Sequence, residues 1–340
     1  MPAATETRRL VARGGRTLDF TVLGFGSVPL GNFPQPLDEA TSDSIVEAAW
    51  NCGIRYFDTA PVYGLGLAEP RLGRVLRALP RDQYLVSTKV GRVLEPCAEG
   101  EQNAKIFVDT PPFRAEFDYS YDGVMRSFEE SLKRLGLDRV DILYIHDIDA
   151  IVHKGRDAAE ARMRELFDDG GWRALDEMRS AGTITAIGAG VNEWQPCVRL
   201  LELADPDLFL LAGRYTLLEQ PPAGSFFPKC AERGARVVIG GPYNSGVLAG
   251  KGKYNYAAVP PEIARRVAAL ESECASCGVS LRAAALQFVV AQPLVVSVIP
   301  GAGSASEVTD NRATLEEPIP ASLWQRLKDG GLLEAGAPTP

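Results

Sequence analysis

The chain has 340 residues, 46% hydrophobic and 24% charged, a balance that belongs to globular proteins with a large buried core rather than to disordered or fibrous chains. Its 44 acidic residues outnumber 36 scattered basic ones, giving a net charge of −8, which argues against a nucleic-acid partner, since that would need clustered cations. The N-terminal stretch MPAATETRRLVARGG carries no apolar segment, and no apolar run approaches the roughly 18 residues of a membrane span, so a cytoplasmic protein with no membrane partner is expected.

Short apolar, β-rich runs alternate along the chain with stretches of helical periodicity. In order, strands are predicted at 21–27, 54–58, 84–89, 140–146, 184–189, 208–212, 236–240 and 295–299. Helices are predicted at 40–52, 66–79, 121–136, 171–181, 195–204, 226–234 and 261–277, with more in the tail 304–330. In the helix at 121–136, Val124, Phe128, Leu132 and Leu135 form one apolar face, and Gly136 suits a helix end. The strand VDILYIH at 140–146 is apolar nearly throughout, as a parallel strand covered on both faces must be.

Eight strand–helix alternations predict a single-domain α/β fold over 1–340, a (β/α)8 barrel. The doubly wound open sheet is the rival, but LGFGSVPLG at 23–31 lacks the G-x-G-x-x-G spacing that would favour it. Irregular stretches at 90–119, 147–168, 212–225 and 242–260 each follow the C-terminal end of a predicted strand, where barrel enzymes gather their binding loops. Six cysteines in so long a chain do not suggest a disulfide framework. Cys274 and Cys277 continue the helical spacing of Ile263, Val267 and Leu270 and read as core residues; a zinc site would need further ligands at matching spacing.

The polar residues at strand ends carry the chemistry. Asp58 follows IRYF, Lys89 follows YLVST and His146 follows VDILYI, so three neighbouring strands deliver three ionisable groups to one barrel face. Tyr63 follows Asp58 in DTAPVYG, where Pro61 restrains the turn that returns its ring over the mouth. A phenol titrates near 10 in water, and a nearby ammonium favours the phenolate. Lys89 would supply that charge, Asp58 would hold Lys89, and His146 would bind the reacting oxygen or relay its proton. Such a set moves protons without offering a nucleophile, so a bound cofactor must take or give the hydride.

The segments FDTAPVYGLGLAEPRLG (57–73), VSTKVGR (86–92) and FDYSYDGVMRSFEESLKRLGLDRVDILYIHDID (117–149) resemble the aldo-keto reductase family over nearly the whole chain. The resemblance implies a metal-free (β/α)8 barrel that binds NAD(P)H and uses Tyr63, Lys89, His146 and Asp58 as its catalytic tetrad. DYSYDGVMRS, AIGAGVNEW (186–194) and LLAGRYTLLEQ (210–220) resemble the aldose 1-dehydrogenase subgroup, whose members oxidise sugars such as L-fucose, D-arabinose or D-galactose to lactones, and pyridoxal 4-dehydrogenase is similar.

The same resemblance places the cofactor. VVSVIPGAGSASEVTDN (295–311) would hold its adenosine end around Pro300, Gly301 and Gly303, with Asn311 at the adenine, on a helix start whose exposed amides suit a phosphate. Asn192 would hold the nicotinamide carboxamide, and the backbone of Asn244, Ser245, Gly246 and Leu248 the pyrophosphate. Members that prefer NADPH carry Lys and Arg where this chain has Gly301 and Glu307, so NAD is expected, with Arg312 leaving NADP open. Glu307 also completes a capping box that starts at Ser304.

The expected reaction is oxidation of an aldose at C1, with Trp194 or Tyr121 as an aromatic platform for the sugar. Pyridoxal oxidation, general aldehyde reduction and a catalytically silent nicotinamide-binding sensor stand as alternatives. The expected partner is a small-molecule sugar or aldehyde, and oligomeric state is not legible.

Overall fold

A computed structural model describes residues 3–255 and 257–340. The chain begins with an antiparallel hairpin, β1 (Thr7–Val11) and β2 (Thr17–Thr21). The barrel strands are β3 (Phe25–Gly26), β4 (Tyr56–Asp58) and β5 (Leu85–Val90), then, after a second hairpin of β6 (Arg92–Pro96) and β7 (Phe113–Phe117), β8 (Ile142–His146), β9 (Ala186–Val191), β10 (Leu208–Ala212), β11 (Arg236–Gly240) and β12 (Val295–Ile299). These eight barrel strands pair in parallel in the order β12-β11-β10-β9-β8-β5-β4-β3. Parallel bridges from Leu23 to Val298 and from Gly26 to Gly301 close the ring.

Helices α1 (Glu39–Asn51), α2 (Ala68–Leu76) and α3 (Tyr121–Leu135) cover the first strands. After β8 come the short α4 (Ala150–His153), then α5 (Arg156–Asp168) and α6 (Gly171–Ala181); α7 (Gln195–Leu203) and α8 (Phe226–Glu232) follow β9 and β10. The chain then runs through α9 (Pro261–Ser276) and α10 (Leu281–Ala291) to β12, and ends with α11 (Ala305–Leu315) and α12 (Ala321–Asp329). The predicted (β/α)8 barrel is therefore present.

Period-two alternation divides the core in two. On β8, Leu143 and Ile145 face the helices, while Ile142 and Tyr144 face the barrel axis. The axial cluster gathers Tyr56, Ile142, Tyr144, Leu208, Leu210 and Val238 with Leu10, Leu18 and Phe20 of the first hairpin. The hairpin thus plugs the end where the strands begin and leaves the opposite mouth for the site. Two glycines let this interior fill. A Cβ at Gly188 would meet Leu208 O at 2.1 Å and the Tyr144 ring at 3.0 Å; one at Gly190 would press on the Lys89 stem at 3.2 Å.

Helix α3 starts where Ser120 Oγ accepts from Gly123 N and ends at Gly136 with φ 63°. It buries Val124, Phe128 and Leu135 as predicted, while Leu132 is only partly buried. Its buried Ser127 donates to the carbonyls of Lys89 and Arg92, tying the helix to the strand that carries the lysine.

The strand predicted at 21–27 differs most from the fold: Thr21 closes the hairpin and only Phe25–Gly26 joins the barrel. Gly24 allows this because a Cβ there would strike Ile299, Ser297 and Tyr56, each within 2.9 Å. The stretches 90–119 and 147–168, expected to be irregular, hold the β6–β7 hairpin and α4–α5. Helix α10 was also unforeseen. It is buried at nearly every position, so it lacks the one-sided pattern that marks surface helices. Cys274 lies in the core as expected, and Cys277 sits half-buried just past the end of α9. Among the described residues no single helix is long and apolar enough to cross a membrane; α9 and α10 reach the length only as a pair bent by 98°.

Candidate active site

At the barrel mouth Asp58 ends β4, Lys89 lies near the end of β5, and His146 ends β8, with β5 between the other two strands. Lys89 and Asp58 are both 1% exposed and form a bidentate ion pair, Lys89 Nζ standing 2.8 and 3.0 Å from the carboxylate oxygens. Lys89 Nζ also donates to Thr59 O at 2.8 Å, and Ser87 Oγ donates to Asp58 Oδ1 at 2.7 Å. Beneath them the Tyr56 hydroxyl links Ser87 Oγ and the Tyr144 hydroxyl, so the pair rests on a hydrogen-bonded layer and not on bare hydrocarbon.

Tyr63 reaches this pair from the turn after β4. Gly31 packs so closely on Gly64 that a Cβ at Gly31 would lie 2.5 Å from Gly64 N, which fixes the turn beside the mouth. The Tyr63 ring centroid is 4.8 Å from Lys89 Nζ and 6.0 Å from the His146 ring, which it meets edge-on at 84°. The four residues singled out from the sequence therefore share one small volume.

Burial sets the charges here. It pushes the Asp58 carboxyl above the usual carboxylate range, although Lys89 and Ser87 pull the other way. Burial, reinforced by Lys89, Arg92 and Lys105, holds His146 well below an ordinary histidine, so its imidazole is neutral at neutral pH. His146 Nδ1 is buried without a hydrogen-bond partner, while Nε2 lies 3.6 Å from Asp147 Oδ1. A neutral imidazole so placed can bind a substrate oxygen but holds no charge of its own to share.

Sequence reasoning missed Arg92, Asp147, Phe33 and Phe107, which line the mouth around the tetrad beside Asn192, the expected nicotinamide residue. Arg92, first in β6, pairs with Asp147 at 2.6 Å and stacks on Phe117 at 4.6 Å. Asn192 Nδ2 approaches Asp147 Oδ1 at 3.4 Å, and Asn192 N donates to Asp149 at 2.7 Å. The Phe107 ring lies 6.3 Å from Tyr63 on one side and 6.3 Å from Phe33 on the other. The available signal was the charged residue beside each recognised one: Asp147 directly follows His146, and Arg92 ends the segment VSTKVGR.

Apart from Asn192, the expected cofactor residues lie in the loop after β11 and around the start of α11, which meet through Tyr243–Asn311 and Lys251–Glu307. Asn244, Ser245 and Gly246 have φ of 47°, 59° and 100° in succession. The Asn244 side chain is spent inside the protein, on Thr216, Gly213 O and Glu219. The amides of Asn244, Gly246 and Leu248 close turns of their own loop, onto Gly241 O and Tyr243 O. At the start of α11, Ser304 Oγ caps the helix by accepting from Glu307 N, and Glu307 answers by accepting from Gly303 N at 2.8 Å. The other Glu307 oxygen pairs with Lys251 at 3.2 Å. Asn311 is buried and accepts from the Tyr243 hydroxyl at 3.1 Å, with Arg282 at 3.4 Å. Arg312 donates to Cys52 O. Tyr121 also does not join the site, because it donates to Glu177 and lies under Arg173 on α6; Trp194 stands at the start of α7.

Residues 22–330 match the pattern of the Aldo/keto reductase family. The chain is 42% identical to pyridoxal 4-dehydrogenase of Microbacterium luteolum, over 97% of this chain and 98% of that one. It is 39% identical to D-threo-aldose 1-dehydrogenase of a Pseudomonas species, over 95% and 96%. The chain belongs to the aldo/keto reductase family. Its fold is shared with the holo form of aldo-keto reductase AKR11C1 from Bacillus halodurans, at a TM-score of 0.73 and 24% identity over 98% and 97% of the chains.

An aldo/keto reductase takes a nicotinamide dinucleotide, and the donor set of this one fits such a group. The N-terminus of α11 offers a positive dipole end, and Arg282 Nε is buried without a partner beside Asn311. The nicotinamide end would lie at the tetrad, with Asn192 at its rim. In this aldo/keto reductase both oxygens of Glu307 are engaged, so a ribose hydroxyl would have to displace Lys251 to reach it.

Proposed function

We propose that this aldo/keto reductase oxidises an aldose at C1, converting the cyclic hemiacetal to its lactone with NAD as the hydride acceptor. The C1 hydrogen leaves with its electron pair as hydride and the anomeric hydroxyl loses a proton. The bound dinucleotide supplies the hydride acceptor, and the remaining work falls to the chain. Tyr63 takes the hydroxyl proton, as a phenolate favoured by the ammonium of Lys89. Lys89 keeps its charge and place because two Asp58 oxygens and Thr59 O hold it. Neutral His146 orients the same oxygen for proton transfer.

The observation that carries this reading is Tyr63 held between Lys89 Nζ, 4.8 Å from its ring, and the neutral His146 ring at 6.0 Å. The aldose is supported by the 39% identity to a D-threo-aldose 1-dehydrogenase and by a mouth lined with Asp147, Arg92 and Asn192, groups suited to a polyol. Pyridoxal is the second reading, favoured by the 42% relative and by the aromatic flank of Phe33 and Phe107, which would hold a planar ring. NAD is preferred over NADP because Gly301 leaves a position without a cation and Glu307 brings a carboxylate to the helix start.

Initial rates of NAD reduction with L-fucose, D-arabinose, D-galactose and pyridoxal test the assignment. The highest kcat/KM is expected with a sugar. A higher value for pyridoxal would replace it with the second reading, and no turnover with any of the four would refute both.

A further inference from the structure

The mouth contains a charged pair that the tetrad chemistry does not use. Asp147 is 9% exposed, directly follows His146, and has φ 56°, a left-handed conformation that Asp tolerates better than most residues. That turn brings its carboxylate back beside the imidazole of the preceding residue. Arg92 holds one oxygen, Oδ2, at 2.6 Å, and its own guanidinium is fixed by Phe117 beneath it at 4.6 Å. The carboxylate is therefore rigid before any ligand arrives.

The second oxygen is differently placed. Oδ1 has His146 Nε2 at 3.6 Å and Asn192 Nδ2 at 3.4 Å, both beyond the usual range of about 2.7–3.2 Å for an N–H···O bond. A carboxylate oxygen can accept two hydrogen bonds, and this one faces the nitrogen that must bind the reacting oxygen. A group bonded to Oδ1 would then lie beside an oxygen held by the His146 ring. The oxygen offers no proton, so it demands a donor.

We propose that Asp147 is a substrate-binding residue whose Oδ1 accepts a hydrogen bond from a hydroxyl next to the reacting carbon, so that the enzyme selects hydroxylated aldehydes and their hemiacetals over plain aldehydes. The selection works in both directions. A neighbouring hydroxyl, such as the C2 hydroxyl of an aldose, completes the carboxylate. An alkyl group there strips water from Oδ1 and gives nothing back. This deepens the proposed function and rests on the same site, but it does not depend on which sugar is used.

The test is a ratio, which cancels general damage to the site. With reduced nicotinamide cofactor, kcat/KM is measured for glyceraldehyde and for propanal, which differ in the hydroxyl next to the reacting carbon and in a terminal one. A charge-assisted bond predicts a preference of about 10- to 100-fold for glyceraldehyde in the wild type. Asp147→Ala should bring the ratio to near one, and Asp147→Asn, whose neutral amide oxygen still accepts, to an intermediate value; circular dichroism checks that each variant folds. Lactaldehyde, with only the neighbouring hydroxyl, should keep the preference of glyceraldehyde. A wild-type ratio near one overturns the proposal, as does a ratio unchanged in a folded variant, which would make Asp147–Arg92 a brace for the β6–β7 hairpin. If the ratio falls as expected but no aldose or pyridoxal is oxidised, the proposed function fails and this inference stands; oxidation with an unchanged ratio is the reverse case.

Discussion

Replacing Lys89 by Met removes the ammonium that lies 4.8 Å from the Tyr63 ring centroid. At an effective dielectric constant near 20, a unit charge at that separation favours phenolate by about 3–4 kcal/mol, and the Asp58 carboxylate, present before and after the substitution, cancels none of that loss. The effect is about two to three pKa units. The rising limb of the kcat/KM profile for oxidation should therefore move up by about two units, and turnover at neutral pH should fall by about 100-fold or more. The same substitution strands the Asp58 carboxylate, whose side chain is 2% exposed, so a stability loss of about 3–5 kcal/mol is expected. The double variant Lys89→Met with Asp58→Asn separates the two effects: thermal stability should largely return and turnover should not. A Lys89→Met enzyme that keeps both its rate and the position of the limb would refute the electrostatic reasoning.

Gly188→Ala should be severely destabilising, because its Cβ would overlap the backbone of β10 at 2.1 Å, whereas Gly190→Ala, at 3.2 Å from the flexible Lys89 stem, should fold and lose activity; chemical denaturation and kcat on both variants check the contrast. His146 titrates well below its ordinary 6.5 in the folded state, so the stability it contributes is full above 6.5 and is lost as pH falls from there toward the depressed value. His146→Gln should accordingly flatten the acid side of the stability curve by up to about 1.4 kcal/mol per pH unit relative to wild type, measured by denaturant titration below pH 6.5. Glu307→Gln should raise the NADP-to-NAD ratio of kcat/KM by about two- to fivefold, the modest effect of a half-exposed charge paired with Lys251.

The tetrad was legible because parallel strands send their C-terminal residues to one face, so Asp58, Lys89 and His146 could be placed together without knowing any loop. The strands at 208–212, 236–240 and 295–299 coincide with β10, β11 and β12, where apolar runs are bounded by turns. The first hairpin was present in the sequence as the alternation of TLDFT after the turn ARGGR, but the longer apolar run 21–27 hid it. Helix α5 was signalled by Ala159, Met163 and Leu166 on one face, within a segment so charged that it read as loop. Asp147 and Arg92 were not separable from ordinary surface charge, because nothing in the sequence shows that their side chains meet just beyond the paired ends of β5 and β8. The side-chain contacts of Asn244 and Glu307 were not legible for a related reason: their partners, Thr216, Gly213, Gly303 and Lys251, are distributed over three loops and a helix start.

That Tyr63 moves the proton is the central claim, and Tyr63→Phe tests it with a single atom removed. Turnover should fall by about 100- to 10,000-fold, the range for loss of a general acid–base group, while the dissociation constant of NAD, read by fluorescence titration, stays within a few-fold of wild type. A Tyr63→Phe enzyme that binds NAD and turns over at the wild-type rate would contradict it.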